Sequence, residues 1–256
     1  MKISDIEVAL VHHVGDDLDV ANAARVSFDK ISEWEKGLAD DLQSFNNMVK
    51  DGWVEADDPE CPEIAMRRLK EGDRKLINYL AKHKHHSPFN HSFLSFRVKA
   101  PLFCARQLVK HRFMPWNEVS RRYVDSEPEF YFPEYWREKA DNVKQGSSEN
   151  FIDKIWWIPE DSWYSVTDGV YESTRACLLR YNKMIENNIC PEQARMVLPQ
   201  NTMTEWRWSG TLGAFLDMLV LRLDSHTQAE TRVVAEKIAV IVKELFPVSY
   251  AAYLGE

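Results

Sequence analysis

Residues 94–123 read LSFRVKAPLFCARQLVKHRFMPWNEVSRRY. The first seven alternate, with Leu94, Phe96, Val98 and Ala100 apolar and Ser95, Arg97 and Lys99 between them. Strand side chains point to opposite faces in turn, so this period of two predicts a strand with one face in the core. Pro101 suits the first turn of a helix, where a missing N–H breaks no bond. Leu102, Ala105, Leu108 and Val109 fall on one side of that helix. Cys104, between Phe103 and Ala105, reads as core rather than as an activated thiol. The segment MPWNEVSRRY that follows reads as a loop.

Upstream, Ile3 to His12 predicts an opening strand, and Ala-rich Val20 to Phe28 a short helix. Asp73 caps a predicted helix through Lys82 that carries Leu76, Ile77 and Leu80, and a His-rich turn, KHKHHSPFNH, follows it. Downstream, Asp125 to about Thr167 is rich in aromatic, Pro and acidic residues and has weak periodicity. It reads as an irregular insertion with local helices. Helical spacing resumes over Val170 to Asn187, and a helix start is signalled at Pro191 to Arg195. Thr211 caps a helix with the stripe Leu212, Phe215, Leu216, Leu219 and Leu223. A second line on that helix is Gly213, Asp217 and Leu221. Ser225-x-x-Gln228 resembles a capping box opening a helix to Leu245, which Pro247 ends. The expectation is a single α+β domain over 1–256, with insertions near 33–65 and 125–165.

Composition limits the function. The chain has 256 residues, 45% of them hydrophobic, enough to bury a sizeable core. No apolar run approaches membrane-spanning length, and no basic start followed by a long apolar stretch marks a secretory signal. Four cysteines without C-x-x-C spacing fit a reducing, cytoplasmic setting. The net charge of −8 argues against a nucleic-acid polymer as partner. Yet Arg97 to Arg122 holds seven cations against Glu118 alone, while Glu33 to Glu63 holds ten acids and two lysines. Cations concentrated in an acidic chain repel one another, and a bound anion would offset that cost. A surface balanced by acidic neighbours explains the same pattern.

Several chemistries lack their motifs: there is no GxGxxG, Walker loop, GxSxG or HExxH. His83, His85, His86 and His91 have no acid or Cys at ligand spacing, so no metal is expected. A non-catalytic single-strand binder using Arg121, Arg122, Trp116 and Tyr123 stays open, since such modules combine cations with stacking aromatics.

Lys110-His111-Arg112, seven residues and then Ser120, within NEVSRRY at 117–123, resembles the signature of the flavin-dependent thymidylate synthases. Further blocks agree in order: Ala24 to Phe28, His85 to Phe89, Ala100 to Gln107, Ala194 to Pro199 and Leu221 to Glu230. The resemblance implies a central, mostly antiparallel sheet flanked by helices, and a homotetramer whose active sites draw on several subunits. It implies reductive methylation of deoxyuridylate (dUMP) to thymidylate, with methylenetetrahydrofolate as carbon donor, NADPH as reductant and FAD as cofactor. The resemblance implies that no protein nucleophile takes part.

Carried over by position, Arg222 is the activating, catalytic arginine. Gln107, Leu108, Val109, Lys110, Glu118, Val119, Ser120, Arg121, Arg122, Arg195 and Arg222 contact substrate. Ser87, Lys110, His111, Arg112, Glu118, Thr211, Leu212, Gly213, Asp217 and His226 contact FAD. The bland alternatives are an Arg222 paired with Asp224 or Glu230, and a His226 that is only a first-turn polar residue. Lys110 stands where the family usually has Arg, and Thr211 and Asp217 where it often has Asn. A carboxylate in place of an amide suits cytosine's amino group, so a deoxycytidylate (dCMP) methylase or hydroxymethylase is the alternative substrate reading. The expectation adopted is that Asp217 faces the flavin, leaving dUMP as substrate.

Overall fold

The computed structural model describes residues 1–36, 67–141, 146–157 and 161–255. The acidic insertion expected near 33–65 lies almost wholly outside them. The chain forms two compact units, Met1–His13 with Leu94–Ile241, and Val14–Phe93 with Val242–Glu256. Its strands are β1 (Lys2–Ile3), β2 (Glu7–Val14), β3 (Glu35–Lys36), β4 (Arg67–Arg68), β5 (Phe93–Pro101), β6 (Trp116–Glu118), β7 (Glu129–Phe130), β8 (Lys154–Trp157), β9 (Ser162–Ser165) and β10 (Met203–Thr211). Its helices are α1 (Asp17–Arg25), α2 (Glu71–Lys82), α3 (Leu102–Leu108), α4 (Val166–Glu186), α5 (Pro191–Ala194), α6 (Leu212–Arg222), α7 (Ala229–Leu245) and α8 (Pro247–Leu254).

The first unit is organised by a sheet in the order β2-β5-β10-β6. Leu94, Phe96, Val98 and Ala100 are fully buried, as the alternation predicts. Ser95 bonds Ser209 and Leu102 N–H bonds the Thr202 carbonyl, so numbers rise along β5 as they fall along β10. That is antiparallel pairing, and β10 with β6 is antiparallel too. Phe215 of α6 meets Phe96 edge-on at 5.0 Å and Trp208 at 5.4 Å, seating α6 on the sheet. Thr211 caps α6 as expected, its Oγ1 accepting from Ala214 N–H.

Four local expectations are corrected. The segment after α3 contains the edge strand β6 rather than loop alone, because Trp116 stacks on buried Trp206 at 4.3 Å. In the 125–165 region the described residues form strands, not local helices: β7 pairs in parallel with β1, and β8 with β9 makes an antiparallel hairpin. Asp73 does not cap α2. It is buried one turn in, accepting from Arg25 Nε at 2.7 Å and Ser32 Oγ at 2.5 Å. Ser225 does not open α7, which begins at Ala229, and Ser225 offers its carbonyl to Arg232.

In the second unit, Gly15 leaves the strand at φ +88°, a region that favours glycine, and Ser92 Oγ lies 2.5 Å from where its Cβ would stand. Asp17, 2% exposed, accepts from Val248 N–H, Ser249 N–H and Ser249 Oγ at 2.7, 2.9 and 2.5 Å. It thereby caps α8 from α1. Burial raises its pKa despite those bonds. The native state thus holds this proton more tightly than the unfolded chain does, so the site's stability falls as pH rises rather than as it drops. Asp17→Ala orphans three buried donors and is expected to cost about 2–3 kcal/mol, read as a lower urea midpoint. An unchanged midpoint would refute this role.

Candidate active site

The basic stretch divides in three dimensions into committed and uncommitted cations. Arg97 pairs with Glu205 at 2.6 Å, and Lys99 with Glu129 at 2.7 Å. The bond to Glu129 raises the Lys99 pKa, and Lys99 lowers that of Glu129. Arg122 is held by Glu192 at 2.8 Å. Arg121 and Arg195 bond only to carbonyls among the described residues, those of Ser126 (2.8 Å) and Glu192 (3.3 Å). Lys110 and Arg112 are exposed and in no ion pair among the described residues. A dianionic group would find charge partners among these four or in Arg106, also exposed and in no ion pair among the described residues.

Two cavities in the first unit are lined by part of the expected site. One of about 280 Å³ is lined by Glu118, Val119, Arg121 and Arg195, with Lys99 and Glu205. Here the Glu118 carboxylate accepts from Trp116 Nε1 and Thr204 Oγ1. The other, about 580 Å³, is lined by Gln107, Arg137, Arg222, His226 and Gln228. Both are within or near the size range of small-molecule sites. They share no lining residue. Within one chain Arg195 and Arg222 thus line different cavities, whereas the resemblance implies a site to which several subunits contribute.

Arg222 ends α6 and pairs with neither Asp224 nor Glu230. Its Nε donates to His111 Nε2 at 3.0 Å and its Nη2 to the Gln107 carbonyl at 3.1 Å. Burial lowers its pKa, but a guanidinium starts high enough to stay charged. His111 lies 6.2 Å from buried Trp208, ring to ring. Burial first, then the Arg222 charge, pushes its pKa down to about 4. The imidazole is neutral at working pH, accepts through Nε2 and so carries its proton on Nδ1. Above the unfolded value of about 6.5 this contribution to stability is complete, and it is lost as pH falls towards the folded value. An NMR titration of His111 is expected to have its midpoint near 4, and a midpoint near 6.5 would mean the pair does not form.

A family model described as thymidylate synthase complementing protein matches residues 9–248. The flavin-dependent thymidylate synthase of Kosmotoga olearia is 34% identical over 259 residues, spanning 100% of this chain and 94% of that protein. The chain belongs to the flavin-dependent thymidylate synthase family. The Thermus thermophilus flavin-dependent thymidylate synthase is 34% identical over 246 residues, 96% of this chain and 74% of that one. Among solved structures, the UMP/dUMP methylase PolB from Streptomyces cacaoi bound with 5-Br dUMP superposes with a TM-score of 0.71 at 27% identity, covering 100% of this chain and 97% of that one.

The remaining expected site positions of this flavin-dependent thymidylate synthase family member fall out as follows. Ser120 Oγ accepts from Arg122 N–H. Leu108 and Leu212 are fully buried, so their side chains are core, and Gly213 is buried in the first turn of α6. Val109 and Asp217 are exposed. His226 donates its N–H to Asp224, whose pKa is lowered chiefly by that bond. Ser87 is exposed on a short 3-10 turn of the second unit. Arg137, which no sequence motif singles out, lines the second cavity beside Gln228. No described helix is long and apolar enough to cross a membrane.

Proposed function

We propose that this enzyme converts dUMP to thymidylate, using methylenetetrahydrofolate as carbon donor, NADPH as reductant and FAD as cofactor. The observation that carries this is Arg222, a charged guanidinium at a cavity wall, held by a histidine that burial keeps neutral. A fixed cation beside the uracil ring stabilises the anion left when N3 loses its proton, and makes C5 nucleophilic without any protein nucleophile. In agreement, burial pushes the Cys104 thiol up to about 12, and no cysteine lines either cavity among the described residues.

Arg121 and Arg195 are the cations left to take the substrate phosphate. The flavin pyrophosphate fits Lys110 and Arg112, the exposed cations flanking His111, with His226 and Arg222 along the adjoining wall. Reduced flavin, when bound, supplies the electrons and mediates the one-carbon transfer. Arg195 and Arg222 line different cavities of one chain, an arrangement in keeping with a homotetramer whose sites draw on several copies. Val220 and Leu221, about half exposed on α6, suit such an interface. Cys104, Cys177 and Cys190 are unpaired, in keeping with a reducing, cytoplasmic location.

The deciding experiment is anaerobic incubation of purified protein with methylenetetrahydrofolate, NADPH and, in parallel, dUMP, UMP or dCMP. Thymidylate from dUMP is expected, and turnover of dCMP alone would overturn the substrate assignment. Sedimentation of the same sample as a monomer would overturn the shared site.

A further inference from the structure

Gln107 is anchored at both ends. Its backbone carbonyl accepts from Arg222, and its side-chain Nε2 donates to Gln228 Oε1 at 2.5 Å. Gln228 Nε2 donates onward to Glu230 Oε2 at 3.0 Å. Arg137 Nη2 donates to both Glu230 oxygens at 2.7 and 2.9 Å, while its Nε donates to Ser147 Oγ at 2.9 Å.

The buried end gives this chain its direction. Glu230 is 6% exposed, and a carboxylate only accepts, so Gln228 must turn its NH₂ inward and its carbonyl towards Gln107. Gln107 must then donate, which leaves its own Oε1 with no partner among the described residues. Flipping the Gln228 amide would lose both bonds, and flipping that of Gln107 would set its oxygen against the Gln228 oxygen and lose the bond between them. Arg137 supplies the charge that makes burying Glu230 tolerable, since an unpaired buried carboxylate is costly. Gln107, Arg137, Arg222 and Gln228 all line the 580 Å³ cavity.

We propose that Arg137 and Glu230, acting through Gln228, are positioning residues that hold Gln107 as a hydrogen-bond acceptor for the pyrimidine nucleotide. Substrate affinity is thereby set in part from the aromatic-rich segment that carries Arg137. This rests on reading the cavity as part of the nucleotide site, as above.

Gln228→Leu tests it with little risk to folding, because Gln228 is exposed and the Arg137–Glu230 pair stays intact. Its KM and calorimetric Kd for dUMP should rise about tenfold with kcat within about threefold, the pattern of lost ground-state binding. Gln107→Ala should do the same, and the double variant should be no worse than Gln107→Ala alone, since both remove one relay. Arg137→Met should raise KM in the same sense, with Arg137→Lys recovering part of it. An unchanged KM in Gln228→Leu, or multiplying effects in the double variant, overturns the proposal while wild-type turnover upholds the reading beneath it. Arg137→Met that lowers thermal stability at unchanged KM also overturns it. Wild-type protein that binds no dUMP overturns both.

Discussion

Arg222→Ala is expected to lower kcat on dUMP by about two to three orders of magnitude, the usual consequence of deleting a preorganised donor aimed at developing charge. Flavin content should be largely spared, because Lys110 and Arg112 are untouched. Arg222→Lys keeps a charge but cannot reach His111 Nε2 and the Gln107 carbonyl with one planar fork, so it should recover only part of the rate. A further readout separates electrostatics from misfolding. In the alanine variant the Arg222 charge no longer depresses the His111 pKa, while burial, its larger cause, still does. The titration midpoint should therefore rise above about 4 and still stay below that of a free imidazole. Loss of FAD along with activity would instead assign Arg222 to cofactor binding.

Arg195→Ala should raise the KM for dUMP by about 10- to 100-fold with a smaller change in kcat, as expected for a lost charge-assisted phosphate contact. Among the described residues Arg195 bonds only the Glu192 carbonyl, so the substitution leaves no buried anion there unpaired. The phosphate is the test. With deoxyuridine, which lacks it, wild type and variant should bind equally weakly. Should Arg195→Ala weaken both ligands by the same factor, Arg195 is shaping the cavity rather than binding the phosphate.

How far the sequence could be read follows from the range of each interaction. β5 was legible because a period of two survives over its whole length, and Leu94, Phe96, Val98 and Ala100 are indeed fully buried. Thr211 was legible because a cap reaches only three residues along the chain. Asp73 misled for the same reason: the capping rule sees nearby N–H groups, whereas its partners, Ser32 and Arg25, lie 41 and 48 residues away. β6 was missed because three residues carry no measurable period, and its reason for being a strand is Trp206 on β10.

The sequence by itself determined the family, through ordered motifs, and with it the cations and the core character of Cys104, because those depend on residue identity and short spacing. Tertiary structure alone decided which cations are spent in ion pairs, that Arg195 and Arg222 face different cavities, and that Arg137 reaches Glu230 across 93 residues. Charge is a property of the side chain, but its availability and its pKa depend on distance and burial, and the linear order of residues encodes neither.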